Sequence, residues 1–225
     1  MKRRGQASAG APAKRRQNAS QTTRATNELD AKKRTLSAPA CIATWTLVTG
    51  QPGSGKTTLV KKVLSELLAK GIRCSGFYTD EVLSKGGSRI GFDVVTIPDG
   101  VRGPLCRKGG PASHPRTGAY SVDVASFERL ALPTLQAPAG VLLVVDEVGR
   151  MELHSERFRD RILELADDGS TRVFGAVTAP IYGHRVLFCD DLTAREEVRV
   201  TKIMKSNRGE VAEAIAAMLV LREEV

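Results

Sequence analysis

The chain contains the pattern G-x-x-x-x-G-K-[ST], which is matched in full by Gly50, Gln51, Pro52, Gly53, Ser54, Gly55, Lys56 and Thr57. In such a loop the glycines let the backbone turn tightly enough to aim successive N–H groups at phosphate oxygens. The helix that follows adds the positive end of its dipole. Lys56 is then expected to neutralise the β- and γ-phosphates, and the Thr57 hydroxyl to bind Mg²⁺. The pattern predicts a nucleoside triphosphate site that uses Mg²⁺.

The sequence on either side of this loop has the order of a strand followed by a helix. Residues 45–49 are typical of a buried strand, and behind the loop apolar residues recur at helical spacing, at Leu59, Val60, Val63, Leu64, Leu67 and Leu68. Gly71 is expected to end this helix, which is predicted over residues 56–70. This context favours a phosphate-binding loop over an ordinary glycine turn.

A second chemical signal follows the uninterrupted apolar run at residues 141–145, which is typical of a central strand. Such a nucleotide site needs a carboxylate at the end of a neighbouring strand to orient the Mg²⁺ shell, and Asp146 occupies that position. Glu147 comes next. Because adjacent side chains of an extended segment point in opposite directions, we assign Asp146 to Mg²⁺ and Glu147 to activation of the attacking water.

Strand and helix patterns alternate along the rest of the chain, which predicts an α/β fold with a mainly parallel sheet flanked by helices. Further strands are predicted at 72–78 and 171–177, and further helices at 126–135, capped by Ser126, at 155–166 and at 209–221. Residues 90–95 resemble one arm of a hairpin closed around 85–88, an insertion that could cover the nucleotide. Residues 98–120 are rich in Gly, Pro and Arg, and a long loop is predicted there.

The net charge of +9 is concentrated at the N-terminus. Residues 1–40 hold ten Lys or Arg against two acids, a balance of +8, which leaves +1 for the remaining residues. Large apolar residues are also scarce there, so residues 1–43 are predicted to be a disordered basic arm and residues 44–225 the folded domain. A two-part nuclear import signal and an organelle transit peptide are alternative interpretations of the arm.

The composition indicates a soluble intracellular protein. No apolar run reaches membrane-spanning length, and none in the arm has the length of a signal peptide. The four cysteines are scattered, without Cys-x-x-Cys pairs or a metal-ligand cluster of histidines, so four free thiols are expected. A nuclear or cytoplasmic location is favoured, with organelle import as the alternative.

Hydrolysis also benefits from a cation that meets the charge developing on the phosphates. The sequence offers several candidates, namely Arg102, Arg107, Arg116, Arg150, Arg195 and Arg208. The three histidines are isolated and show no triad partner, so they are interpreted as structural or exposed.

Several further segments resemble the cancer-related nucleoside-triphosphatase family, small enzymes also found in thermophilic microbes. The resemblance covers residues 46–208 and rests on five blocks in order: Gly76-Phe77-Tyr78-Thr79 with Glu81; Arg89-Ile90-Gly91-Phe92-Asp93-Val94-Val95; Gly103-Pro104-Leu105; Ser126-Phe127-Glu128 with Leu130-Ala131-Leu132-Pro133; and Asp146-Glu147-Val148-Gly149-Arg150-Met151-Glu152-Leu153.

The resemblance implies one RecA-like P-loop domain, slow hydrolysis of several nucleoside triphosphates with some activity on diphosphates, and a monomer. It also implies two nucleotide-contacting segments, residues 50–57 and the set Leu142, Leu143, Val144, Val145, Asp146, Glu147, Val148 and Gly149. Near the C-terminus the family tends to show Val-Thr-Lys-Glu-Asn-Arg, and here Asn207 and Arg208 match whereas its Thr and Glu are replaced by Met204 and Ser206. Arg208 is therefore the preferred phosphate or base contact, with Lys56 and Glu147 as the other catalytic residues.

Two other functions remain open from the sequence. A small-molecule or nucleotide kinase would use the same loop, metal and carboxylate, and residues 102–116 are basic enough for a lid, although Glu147 favours water as the acceptor. A nucleotide-dependent nucleic-acid-binding switch would use the basic arm, with steep salt dependence. The nearly neutral domain makes nucleic acid at most a weak partner, and no membrane partner is expected.

Overall fold

The computed structural model describes residues 43–136, 138–180 and 185–222. All of them lie in one compact unit, Ile42–Val225. The predicted arm lies outside the described residues except for Ala43, so its disorder stays a prediction. Within the described part, Cys74, Cys106 and Cys189 are buried free thiols, as expected, while Cys41 lies outside it.

The described chain contains nine strands and five α-helices. The strands are β1 (Trp45–Thr49), β2 (Cys74–Leu83), β3 (Arg89–Ile97), β4 (Arg102–Lys108), β5 (Arg116–Thr117), β6 (Tyr120–Val122), β7 (Leu142–Val148), β8 (Val173–Val177) and β9 (Val198–Lys202). The helices are α1 (Lys56–Ala69), α2 (Val124–Thr134), α3 (Glu156–Asp168), α4 (Leu187–Thr193) and α5 (Arg208–Leu221), with a 3-10 turn at Glu152–His154.

All nine strands form one sheet in the order β5-β6-β4-β3-β2-β7-β8-β1-β9. The run from β2 to β9 is parallel throughout. Beyond β2 the sheet continues through antiparallel pairing of β3, β4, β6 and β5. The predicted α/β class with a mainly parallel sheet is confirmed. The hairpin expected around residues 85–88 is the β2–β3 pair, whereas β4, β5 and β6 are additions to the prediction.

Two apolar cores cover the two faces of the sheet. One contains side chains of α2, α3 and α4 and is centred on Phe77, Phe127 and Phe158, whose rings meet edge to face with centroids 5.1–5.9 Å apart. The other contains the apolar faces of α1 and α5. Burial of these apolar helix faces holds the helices against the sheet. The carboxyl ends of the parallel strands then lie along one edge of the sheet, where functional side chains can meet.

The structure contradicts the single long loop predicted at residues 98–120, because residues 102–108, 116–117 and 120 lie in β4, β5 and β6. Pro104 lies opposite Asp93 next to a shift in the β3–β4 register, where an irregular ladder tolerates a missing N–H. Arg102 and Arg107 both pair with the Asp93 carboxylate. Pro104, Arg102 and Arg107 thus occupy positions of β4 where a strand pattern would show apolar residues. For this reason the sequence pattern did not indicate a strand there.

One smaller expectation also needs correction, and two elements were not predicted. Helix α2 begins at Val124, and its cap is Asp123, whose Oδ1 accepts a hydrogen bond of 2.9 Å from the Ser126 N–H, so Ser126 is not the cap. The sequence also gave no indication of α4 or β9. Helix α4 has seven residues, and β9 is an edge strand that mixes Val with charged residues, so neither has a distinctive pattern. Among the described residues, no helix could span a membrane.

Candidate functional site

The phosphate-binding loop connects β1 to α1 at the carboxyl edge of the sheet. Gly55 has φ +94°, a left-handed conformation that favours glycine, and a Cβ there would lie 2.2 Å from Nη1 of Arg208. At Gly50 a Cβ would lie 2.7 Å from the Ile203 carbonyl oxygen. These two glycines therefore allow the loop to pack against the segment that follows β9 and against Arg208 at the start of α5. As predicted from the sequence, the N-terminus of α1 follows directly.

Lys56 is the first residue of α1, and its side chain folds back over the loop. Its Nζ atom lies 3.3 Å from the Gly50 carbonyl oxygen and 3.3 Å from Oε2 of Glu147. The side chain is only 11% exposed. The structure thus brings together the two residues to which the sequence assigned phosphate binding and water activation.

Asp146 lies near the end of β7 and is completely buried. Burial, and after it the Glu147 carboxylate, raise the pKa of its carboxyl to about 7, while the Thr57 hydroxyl, Lys56 and the Thr79 backbone act in the opposite direction. Neither carboxyl oxygen has a hydrogen-bond partner of ordinary geometry. A buried carboxyl without a partner is costly unless a cation or a donor completes its environment.

These residues fit the expected Mg²⁺. Mg²⁺ prefers oxygen ligands and commonly takes one or two carboxylates together with substrate phosphates and water. The unpartnered oxygens of Asp146 and the nearby Thr57 hydroxyl provide such atoms beside the loop. Within the described residues no group of three or more His, Cys, Asp or Glu side chains could hold a metal, so the site depends on phosphate and water oxygens for its other ligands.

Thr178 is a site residue that the sequence interpretation missed. It follows β8 directly, and its hydroxyl donates a 2.7 Å hydrogen bond to Oε1 of Glu147. Gly149 packs beside both groups, since a Cβ there would lie 2.7 Å from Oε1 of Glu147 and 2.8 Å from the Thr178 hydroxyl. Thr178 could have been identified from the sequence, because it is a polar residue directly after an apolar strand, as Asp146 is a polar residue after the apolar run 141–145.

A cleft of about 480 Å³ opens beside these groups. Its lining includes the loop residues Gly50, Pro52, Gly53, Gly55, Lys56 and Thr57, together with Glu147, Thr178 and Arg208. The apolar stretch 142–145 does not line it, because these four side chains are buried in the two cores. They support the strand that carries Asp146 and Glu147.

The candidate arginines separate into different environments. Arg208 lines the cleft at Gly55, and Arg150 lines it as well. Arg102 and Arg107 pair with Asp93, and Arg195 pairs with Asp167 and Glu197. Arg116 lines a neighbouring cavity of about 370 Å³. Arg208 is thus the candidate that the structure places against the phosphate-binding loop.

Glu152 is a further acidic residue on the cleft that was not predicted as a site residue. It begins the 3-10 turn after β7 and is 3% exposed. Burial raises the pKa of its carboxyl well above the usual range, and Glu147 and Asp146 add to this, while the backbone at Glu152 and Gly149 opposes it. An isolated glutamate between Met151 and Leu153 gives no sequence signal of burial, so only the fold reveals this group.

Comparison with known proteins agrees with this geometry. A sequence model of the family described as "NTPase" matches residues 46–216. The chain is 41% identical over 172 residues to a cancer-related nucleoside-triphosphatase homolog of Bos taurus, covering 72% of this chain and 89% of that protein. It is 34% identical over 175 residues to the nucleoside-triphosphatase THEP1 of Thermotoga sp. strain RQ2, covering 77% and 94%.

Two solved structures share the fold. The solution structure of a human cancer-related nucleoside triphosphatase aligns with a TM-score of 0.66 at 38% identity, over 77% of this chain and 96% of that one. The crystal structure of THEP1 from Aquifex aeolicus aligns with a TM-score of 0.67 at 30% identity, over 78% and 98%. The P-loop fold predicted from the sequence is confirmed, and the chain belongs to the NTPase family, together with the cancer-related nucleoside-triphosphatases and the THEP1 nucleoside-triphosphatases.

Proposed function

We propose that this protein hydrolyses nucleoside triphosphates to nucleoside diphosphate and phosphate, with Mg²⁺ as cofactor and with broad base specificity. The observation that carries the proposal is the position of Glu147, which lies between Lys56 of the phosphate-binding loop and the Thr178 hydroxyl. A carboxylate beside the γ-phosphate position is the group that hydrolysis requires, because the attacking water must lose a proton.

The phosphates are bound by the loop and by two cations. The N–H groups around Gly53 and Gly55 and the N-terminus of α1 attract the β- and γ-phosphates. Lys56 exchanges its contact with Glu147 for phosphate oxygens, and Arg208 approaches the same phosphates from the start of α5. Both cations stabilise the negative charge that develops on the phosphates as the bond between the γ-phosphorus and the β-phosphate oxygen breaks.

Thr57 and Asp146 are the residues that would hold Mg²⁺. The bound ion supplies positive charge to the β- and γ-phosphates. With a cation beside it, the Asp146 carboxyl is ionised, because the opposite charge offsets the burial that otherwise keeps its proton. This accounts for an acidic residue that is completely buried yet has no hydrogen-bond partner of ordinary geometry.

Glu147 then acts as the general base. Its carboxylate takes a proton from the attacking water while the Thr178 hydroxyl fixes the orientation of Oε1. The released diphosphate leaves with its charge balanced by Lys56 and Arg208. Broad base specificity follows from the same arrangement, since these groups bind phosphates and none of them reads a base.

The test is phosphate release from ATP, GTP, CTP and UTP with and without Mg²⁺. Lys56→Ala and Glu147→Gln should each lower the rate by about 10²-fold or more. The matched controls are Lys62→Ala, an exposed lysine of the same helix, and Glu164→Gln, an exposed glutamate of α3 that pairs with Arg161. Normal rates in the two site variants, or release that is unaffected by chelation of Mg²⁺, would contradict the proposal.

A further inference from the structure

The cleft does not end at the phosphate-binding residues. Past Glu147 it continues into a space that we call the distal chamber, lined by Glu81, Arg89, Phe92, Leu105, Met151 and Glu152. These residues come from β2, β3, β4 and the turn after β7, and thus largely from the antiparallel extension of the sheet. In the strand order, β7, which carries Glu147, lies between β1, which leads to Lys56, and the strands β2, β3 and β4 that line the chamber.

Hydrolysis alone does not explain the chamber. The attacking water needs roughly 30 Å³ beside Glu147. The cleft extends further, because it is also lined by side chains of β2, β3 and β4, which form its far wall. Phe92 in that wall is fixed from two sides, with the Arg89 guanidinium 5.3 Å from its ring centroid and the Tyr120 ring 5.7 Å away. The wall is therefore held in place by packing and by ion pairing, although Arg89 and Glu81 at its rim remain exposed to solvent.

The chemistry of the wall favours an uncharged occupant with a flat apolar part. Phe92, Leu105 and Met151 form an apolar surface. The Arg89 charge is balanced by its ion pair with Glu81, so it does not form a site for a second phosphate. Glu152 adds one buried carboxyl that can exchange hydrogen bonds with a hydroxyl or ring nitrogen. A nucleoside combines a flat ring, hydroxyls and the absence of charge.

We propose that the distal chamber binds a nucleoside as a second substrate and that the γ-phosphoryl group of the bound triphosphate is transferred to one of its hydroxyls. This inference rests on the proposed function, because it uses the same nucleotide site and the same base. Glu147 accepts the hydroxyl proton, a bond forms between the hydroxyl oxygen and the γ-phosphorus, and the bond from that phosphorus to the β-phosphate oxygen breaks. The products are a nucleoside diphosphate and a nucleoside monophosphate, and hydrolysis is the reaction of the same site with water.

The experiment uses the full chain, Mg²⁺ and ATP labelled in its γ-phosphate, with adenosine, guanosine, cytidine or uridine added singly. The label is separated into inorganic phosphate and nucleoside monophosphate. At least one nucleoside should become labelled, and release of phosphate should fall as its concentration rises, because the two acceptors compete.

Substitutions separate the chamber from the nucleotide site. Phe92→Ala should lower labelling of the nucleoside by about tenfold, a loss of about 1.4 kcal/mol, while phosphate release without nucleoside persists. Ile90→Ala is the control on the same strand, since Ile90 is partly exposed and lies outside the cleft lining. Lys56→Ala should abolish both reactions.

Absence of labelled nucleoside monophosphate from a protein that releases phosphate would overturn the chamber proposal and leave the proposed hydrolysis intact. Labelling of a nucleoside without any phosphate release to water would have the opposite meaning, because it would support the chamber and contradict hydrolysis. Equal labelling by the parent protein and Phe92→Ala would also overturn the assignment of the chamber.

Discussion

The Nζ atom of Lys56 lies 3.3 Å from Oε2 of Glu147, so the cation of the phosphate-binding loop and the carboxylate beside it neutralise each other before a nucleotide enters. A triphosphate must compete with Glu147 for Lys56. The pair lies at the edge of a buried region that holds Asp146 and Glu152.

Replacing Glu147 by Gln should therefore separate binding from turnover. Loss of the ion pair frees Lys56 for phosphate, so nucleotide affinity should rise by about two- to fivefold, the range expected for an ion pair of modest strength. Phosphate release should fall by about 10²-fold or more because no base remains. Titration with a fluorescent nucleotide measures the affinity, and weaker binding in Glu147→Gln would contradict this account of the pair.

Asp146 should make the metal-free protein less stable as the pH rises. Its pKa is raised from 3.8 to about 7 in the folded state, so between these values the folded protein binds more protons than the unfolded chain. The free energy of unfolding therefore falls as the pH rises through this window. Asp146→Asn should flatten that dependence, and the exposed Asp99→Asn should not.

The measurement is the melting temperature between pH 4 and about 8, without metal or nucleotide. Mg²⁺ with nucleotide should restore stability at the upper end for the parent protein and much less for Asp146→Asn. A parental profile identical to that of Asp146→Asn would show that Asp146 does not hold its proton in the folded state.

Glu152 should behave as a neutral group. Burial raises the pKa of its carboxyl well above the usual range, so as the pH rises above the ordinary pKa of a glutamate the folded protein holds this proton more tightly than the unfolded chain does. Glu152→Gln, which is neutral at every pH, should raise the melting temperature at about pH 8 and have little effect at pH 4, where the unfolded carboxyl is also largely protonated. The exposed Glu156→Gln is the control. A lower melting temperature for Glu152→Gln at high pH would mean that the carboxyl is ionised in the folded protein.

The phosphate end of the site and the parallel part of the sheet could be predicted from the sequence because their signals are local. A strand, a glycine-rich loop and an amphipathic helix follow one another at 45–69, and Asp146 follows an apolar run. The rule that carboxyl ends of parallel strands share an edge then brings Glu147 toward Lys56. No tertiary information was needed for this step.

The β2–β3 hairpin was predicted from the sequence, but strands β4, β5 and β6 and the distal chamber could not be predicted in the same way. Pro104 and the charged residues of β4 conceal a strand. Arg102 and Arg107 are held there by ion pairs with Asp93, which lies on another strand. The role of Thr178 depends on β8 being the neighbour of β7, and the strand order is not encoded in any single segment.

Arg208 should contribute to nucleotide binding through its place on the loop. Its guanidinium occupies the space that a Cβ of Gly55 would fill, at the N-terminus of α1 where phosphates are attracted. Arg208→Ala should weaken binding of triphosphates by about 10- to 100-fold, the loss expected for a hydrogen bond to a charged group. Arg199→Ala removes an exposed arginine from neighbouring β9 and serves as the control.

The same substitution distinguishes a phosphate contact from a base contact. If Arg208 binds the phosphates, Arg208→Ala weakens ATP, GTP, CTP and UTP by similar factors, and it weakens the triphosphate more than the corresponding nucleoside monophosphate. A loss confined to one base would assign Arg208 to base recognition. Unchanged affinity for all four nucleotides would remove Arg208 from the site and leave Lys56 as the cation that binds the phosphates.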